Sequence, residues 1–391
     1  MIGVTGAGAA TSPASDRSRA SERDAWIALS LLPGLGHVGF AQLVRHHGTA
    51  MDAWRAGSKG VPAAARLGPE ARRTLDARGT ADPRKIVARI ETAAAAHGGR
   101  VVAALDDEYP RALLALDPRP PVLYVAGDLD AFRRRAVAIV GTRRASGYGL
   151  SVTELIADDL ARASVTVVSG LAIGIDGAAH RAAVAAGGTT IAVLPSPLDR
   201  IYPPRHRQLA RNIVAGGGAL VTEIPIGAVV GKPDFARRNR IIAGLAEAVV
   251  VVEAPDRSGA LLTAAAAAAA GRELYAVPGP IDAMASRGCN RLIADHQASI
   301  VTSSAALLAQ IGLHRRARPA AVEALSEVEG MVLGKLLERS GSIEELVDRA
   351  HQPPAAVASA LAMLEARGLV DSFGGATFHP TVTARRMAGV T

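Results

Sequence analysis

Apolar positions along this chain change their period twice. From Glu22 onward, Trp26, Ile27, Leu29 and Leu32 sit at helical spacings until Leu32-Pro33-Gly34-Leu35-Gly36 breaks the run. A second helix is expected over about 39–46, and the helical pattern persists to about residue 96. After Gly98-Gly99 short apolar runs take over. Those at 101–105, 122–125 and Ala136–Val140 are bounded by Pro, Asp and Gly and read as strands. Further strands are expected at 165–168, 189–194, Ala219–Thr222, 248–252, 274–277 and 299–301, with helices between them.

Continuous rather than alternating apolar strands are buried on both faces, which implies a mainly parallel sheet between two helical layers. The expected core is therefore a doubly wound α/β domain over about 100–312. Beyond it, helical patterns at 328–337, 342–349 and 354–368 precede a small hairpin around Phe373-Gly374-Gly375, the order of a winged helix. The expected layout is a disordered leader (1–21), a helical domain (22–99), the α/β domain, a basic linker (313–322), the winged helix (323–380) and a tail (381–391). The helical domain resembles a SAM-like or helix-hairpin-helix unit, whose turn amides can hold a phosphate. Gly34 and Gly36 read equally well as plain turn glycines.

Charge changes this picture. The chain carries +8 at neutral pH and has a pI near 10.2, compatible with a polyanionic partner. The excess is uneven: residues 323–380 hold four Lys/Arg against nine Asp/Glu, a net of −5, which leaves +13 for the rest. The helix that would read DNA, 354–367, offers Ala, Val, Ser, Leu and Met, with Arg367 only at its far end, and otherwise lacks the Arg, Asn or Gln that recognise base edges. The winged helix is thus expected to contact protein. Aromatics at 3% limit any scheme in which many bases stack on rings, and a single cysteine, Cys289, fits a reducing, cytoplasmic setting without disulfides. No apolar run reaches membrane-spanning length, and the leader has no apolar signal-peptide core.

In an open parallel sheet, ligands bind beyond the carboxyl ends of the strands, and four such stretches stand out. Gly141-Thr142-Arg143-Arg144-Ala145-Ser146-Gly147 combines glycines, helix-entry amides and the planar fork of Arg143. Ser169-Gly170 leads to Asp176 and His180, four residues apart. Asp176 reads as a helix N-cap and the pair as structural. Pro255-Asp256-Arg257-Ser258-Gly259 repeats the strand–Ser-Gly–helix outline. The fourth, Lys232-Pro233-Asp234-Phe235-Ala236-Arg237-Arg238-Asn239-Arg240, gathers four cations, an amide and a ring. Its helix is expected to expose Arg237, Arg238 and Arg240 while Ile241 and Ile242 anchor it. Such a run is either a solvated charged face or a ledge for single-stranded nucleic acid. No Walker loop, dinucleotide fingerprint or metal-ligand spacing is present, so no cofactor or metal is expected.

At these residues the chain resembles the DNA-processing protein A (DprA/Smf) family. The resemblance rests on Gly141-Thr142-Arg143 with Tyr148-Gly149, Ser169-Gly170-Leu171-Ala172 with Asp176 and His180, and Leu198-Asp199 with Tyr202-Pro203. It continues through Phe235 with Arg238-Asn239-Arg240, Ser258-Gly259-Ala260, Val277-Pro278-Gly279 and Gly288 with Asn290. It implies a Rossmann-like fold and a single-stranded-DNA-binding recombination mediator, not an enzyme. Such a protein protects incoming strands in natural transformation, helps load RecA recombinase and acts as a homodimer. The family's strand-binding residues fall on Arg143, Phe235, Arg238, Asn239 and Arg240. Lys232, Arg237 and the Ser169-Gly170 and Ser258-Gly259 turns complete the expected interface.

The chain departs from the family pattern at Pro195-Ser196-Pro197, at His206 and at Asp295-His296-Gln297, which bears on the groove's fine shape. The alternative reading is a Rossmann-fold phosphoribohydrolase-like enzyme. It would need an acidic group at the Arg257–Thr263 loop, where alanines follow instead; Asp176, Glu223 and Glu253 are the carboxylates left near strand ends. A winged-helix transcription factor is disfavoured by the acidic final domain.

Overall fold

A computed structural model describes residues 13–59, 61, 67–78, 81–313, 325–373, 377–381, 384–385 and 388–389. The expected basic linker lies almost wholly outside the described residues, as do the first twelve residues of the leader and the Gly374–Gly375 hairpin turn. The rest of the leader is not the disordered tail expected. It forms the start of helix α1 (Pro13–Ser30), which Arg19 and Arg23 tie to Asp107 and Asp106.

Helices α2 (His37–His47), α3 (Ala50–Ala56), α4 (Pro69–Arg78) and α5 (Pro83–Ala95) complete the N-terminal segment. Thr49 and Asp82 cap α3 and α5 through their side chains, satisfying first-turn amides. This segment does not keep a core of its own. Trp26, Leu29, Phe40, Leu43 and Trp54 join one hydrophobic cluster with Val101, Tyr124, Leu194 and Leu220 of the sheet. The Trp26 indole donates to Pro121 O at 2.8 Å. The change of sequence period near residue 99 is therefore a change of element type, not a packing boundary. At the Gly34–Gly36 turn, Gly34 has φ +77°, and the Glu70 carboxylate would lie 3.3 Å from a Cβ there. An acid against the turn disfavours a phosphate there.

The sheet has nine strands in the order β1-β2-β6-β5-β4-β3-β7-β8-β9. They are β1 (Gly99–Ala103), β2 (Val122–Gly127), β3 (Ala136–Val140), β4 (Thr166–Ser169), β5 (Thr190–Val193), β6 (Ala219–Thr222), β7 (Ala248–Val251), β8 (Glu273–Ala276) and β9 (Ser299–Ile300). From β6 to β9 all pairs are parallel, while β1 and β2 are antiparallel at one edge. Helices α6 (Gly147–Arg162), α7 (Ile175–Ala185) and α12 (Ser304–Gln310) cover one face. Helices α9 (Lys232–Leu245), α10 (Gly259–Ala269) and α11 (Arg287–Ala294) cover the other, and α8 (Arg207–Ala215) packs with the N-terminal segment. Within β3 the two faces separate by alternation: Val137 and Ile139 enter one cluster, Ala138 and Val140 the other. The chain steps outward from β3 through β4, β5 and β6, then returns to place β7 on the opposite side of β3. This reversal opens a crevice at the carboxyl ends of β3 and β7.

The C-terminal unit has α13 (Glu327–Glu338), α14 (Ile343–Ala350), α15 (Pro354–Ala366) and the antiparallel hairpin of β10 (Val370–Phe373) and β11 (Thr377–Pro380). A bridge from Gly341 to Phe378 adds the short third strand of a winged helix. Its core, including Val332, Leu336, Leu346, Val357 and Leu364, is a separate cluster.

Candidate nucleic-acid interface

The crevice between β3 and β7 encloses about 480 Å³. Its walls come from the Gly141–Arg144 turn, from the first two turns of α9 and from the Pro255–Gly259 turn. Arg143, Arg144, Lys232 and Arg257 bring four exposed cations to this one opening. The Arg143 guanidinium carbon lies 5.5 Å from the centre of the Phe235 ring, within cation–π range. Tyr202 meets the same ring edge-on, with centroids 5.3 Å apart. Cation, ring and second ring thus form a short ladder along the cleft mouth.

Beneath the ladder, Arg238 is 7% exposed. Its guanidinium donates to Gly170 O at 2.6 Å, to Val193 O and to Asn239 Oδ1 at 3.2 Å. Burial pulls its pKa down to about 10, against the opposing attraction of Asp176. Asp176 receives the amides of Gly170 (3.2 Å) and Ala172 (3.4 Å), and burial raises its pKa despite Arg238. The pair welds the turn after β4 to α9. Gly170 must be glycine for this reason: a Cβ would overlap the Arg238 guanidinium.

The neighbouring turn is held by a second carboxylate. Glu253, after β7, receives the Ser146 amide at 2.9 Å and the Ser146 hydroxyl, while Ser146 accepts from Gly149 N and so caps α6. A built-in anion therefore already occupies the entry of α6. External anions are left to the Arg143 and Arg144 side chains.

Known proteins share this arrangement of strands and turns. The family model described as DNA recombination-mediator protein A matches residues 100–312. The chain belongs to this family. A putative DNA processing protein DprA of Mycobacterium tuberculosis (strain H37Rv) is 39% identical over 373 residues, spanning 90% of this chain and 92% of its own. Protein Smf of Escherichia coli K12 is 46% identical over 208 residues, 53% of this chain and 55% of its own. Among solved structures, DNA processing protein A from Streptococcus pneumoniae superposes with a TM-score of 0.63 at 31% identity, covering 73% of this chain and 97% of that one. DNA processing protein A from Helicobacter pylori, whose structure was solved for its single-stranded DNA binding mode, superposes at 0.50 with 28% identity, covering 55% and 95%.

Within the family's Phe-x-x-Arg-Asn-Arg motif, the structure separates residues that the sequence had grouped. Arg238 is not exposed as expected. It stands three and four positions before Ile241 and Ile242, hence on the same buried stripe of α9. Arg238 still lines the cleft floor, whereas Arg240 turns away from it, donating to Pro118 O at 2.9 Å and to Glu223. Arg237 remains exposed but pairs with Asp234 at 3.3 Å outside the cleft lining. Lys232, Phe235 and Asn239 do line it, as do Ser258 and Gly259, with Ser258 capping α10. Ser169 is fully buried and donates to Ile139 O at 2.6 Å, so it presents nothing to a ligand; Gly170 lines a small adjoining hollow.

Asp176 is not the N-cap of α7, which begins one residue earlier after Gly174; its carboxylate serves the preceding turn instead. His180 lies apart from Asp176 in bonding: its Nδ1 is 2.7 Å from Thr190 Oγ1, and burial holds its pKa down to about 3, so it is neutral. His206, one departure from the family pattern, bonds Leu171 O through Nδ1 at 2.9 Å and steadies a turn whose Leu171 has φ +56°. Arg144 and Arg257 line the cleft and Tyr202 lines the small adjoining hollow, and the sequence did not place these three in the interface. Arg144 and Arg257 were visible as cations at strand ends, and Tyr202 only through a family motif. Among the described residues no three His, Cys, Asp or Glu side chains converge to hold a metal, and no helix is long and apolar enough to cross a membrane.

Proposed function

We propose that this chain binds single-stranded DNA along the β3/β7 cleft and acts as a recombination mediator. The observation that carries this reading is the convergence of Arg143, Arg144, Lys232 and Arg257 on the Phe235–Tyr202 ladder at one opening. Four phosphate contacts give a log–log salt slope of about −3 for a single strand. A base stacked at Phe235 adds about 1–3 kcal/mol with no sequence preference. The single-stranded DNA binding mode of the Helicobacter pylori relative supports the same ligand class.

Loading of RecA recombinase, homodimerisation through the α/β domain, a role in natural transformation and a cytoplasmic location complete the proposal. A non-enzymatic role is supported by the three strand-end carboxylates: Asp176 holds a turn, Glu253 holds the α6 entry and Glu223 pairs with Arg240. None is left as a general base over the cleft. Fluorescence anisotropy with labelled single strands and matched duplexes tests the reading, with gel filtration reporting subunit number. Strong, salt-sensitive preference for the single strand is expected; equal binding of duplex, or release of a free base from a nucleoside monophosphate, overturns it.

A further inference from the structure

The face of α9 that turns away from the cleft is engaged too. Arg240 reaches Glu223, which follows β6 and whose side chain is 6% exposed. The same Glu223 Oε2 lies 3.4 Å from Nε2 of His37, the first residue of α2. The Gly34-Leu35-Gly36 turn is what delivers His37 to this spot. A second contact runs parallel to the first. Between β6 and α9 the connecting segment packs Ile226 against the hydrophobic cluster of the N-terminal helices, and lines a groove with Leu31, Ile86 and Ile90. That segment leads directly into Lys232 and Phe235.

We propose that Glu223, clamped between His37 of the N-terminal helices and Arg240 of α9, is a positioning residue for strand binding. It couples the placement of the N-terminal helices to that of Lys232 and Phe235, and it rests on the single-strand reading above. Arg240 is in this role a strut and not a phosphate contact. Removing the carboxylate leaves a largely buried guanidinium with Pro118 O as its remaining hydrogen-bond partner among the described residues, and α9 loses its tie on the side opposite the cleft.

The clamp is sensitive to acid. Glu223 is pushed up to about 6, first by burial, with Arg240 and Arg237 opposing and Asp234 reinforcing. His37 is held down to about 3 by burial and by the same two arginines, so it packs against the carboxylate as a neutral imidazole. Tyr109 also faces the carboxylate and is raised by burial and by that charge, so it stays a neutral phenol. Below about pH 6, Glu223 takes up a proton and Arg240 loses its counter-charge. Because this pKa is raised in the folded chain, protonation of Glu223 stabilises the fold. That contribution is present below the ordinary value of 4.5 and is lost as pH rises through about 6. Acidification through this group therefore loosens α9 without unfolding the chain.

The test uses the full chain, a labelled oligothymidylate and hydrogen–deuterium exchange. Wild-type affinity is expected to fall as pH is lowered from about 8 to about 5. Glu223→Gln is expected to bind about five- to tenfold more weakly near neutral pH and to lose most of that acid fall. Its salt slope is expected to match wild type, because no phosphate contact is removed. Exchange is expected to quicken over residues 224–240 and not in the winged helix. Wild-type affinity, pH profile and exchange in Glu223→Gln overturn the proposal. If the wild-type chain itself fails to bind the strand, the functional reading falls, and exchange over 224–240 still decides the clamp. If Glu223→Gln loses cooperative melting, His37→Ala replaces it, with a smaller change in the same direction expected and no change overturning the clamp.

Discussion

Two parts of this molecule have shapes that elsewhere hold DNA, and they are furnished in opposite ways. The β3/β7 cleft is surrounded by cations from two turns and the start of α9, with a ring at its mouth. The winged helix has a sound hydrophobic core, yet its α15 shows solvent Ala355, Ala358, Ser359, Ala362, Met363 and Glu365, and its unit is net acidic. Core packing fixes a fold and is indifferent to what the surface displays. Only side chains that leave the core can meet a polyanion. The contrast also holds within α9, where Lys232 and Arg237 are exposed while Arg238, three residues before Ile241, is part of the framework.

The sharpest way to break the comparison is to disturb that framework. Arg238→Ala leaves the buried Asp176 without its cation and is expected to cost about 3–5 kcal/mol of stability, read by denaturant unfolding. The winged helix, with its separate core, is expected to keep its own transition. Phe235→Ala removes the ring that Arg143 and Tyr202 both touch. A loss of about 1–3 kcal/mol in single-strand binding is expected by anisotropy, alike for all sequences, with the melting curve nearly unchanged.

Arg143→Ala is expected to flatten the log–log salt dependence by about 0.7 and to weaken every sequence equally. An unchanged slope would move the strand off the β3 turn. At the small end, removing residues 325–391 is expected to change single-strand affinity by less than about twofold, since the winged-helix unit is net acidic. Binding of a defined duplex by the winged helix would reverse the comparison altogether.

Much of this was legible in the chain. The continuous apolar strands announced a parallel sheet buried on both faces, and the strand-end rule pointed to Arg143, Lys232, Phe235 and the Ser258-Gly259 turn. Burial of Arg238 was also encoded, because helical spacing puts it on the stripe of Ile241 and Ile242; treating the run as one charged ledge concealed it. The partner of Arg240 was not legible. Glu223 lies seventeen residues away and His37 on another element entirely, so no local pattern joins them. The same holds for Glu253, which meets Ser146 across 107 residues.

The sequence by itself determined the order of elements, the parallel core, the acidic character of the last unit and the set of cations available to the cleft. Periodicity and composition are local properties, and they sufficed for each of these. Tertiary structure alone decided which buried carboxylates and carbonyls consume the cations that leave the surface. That pairing depends on which strand ends the sheet order brings together: a buried guanidinium must find acceptors, and those of Arg238 come from the turn after β4 and the end of β5.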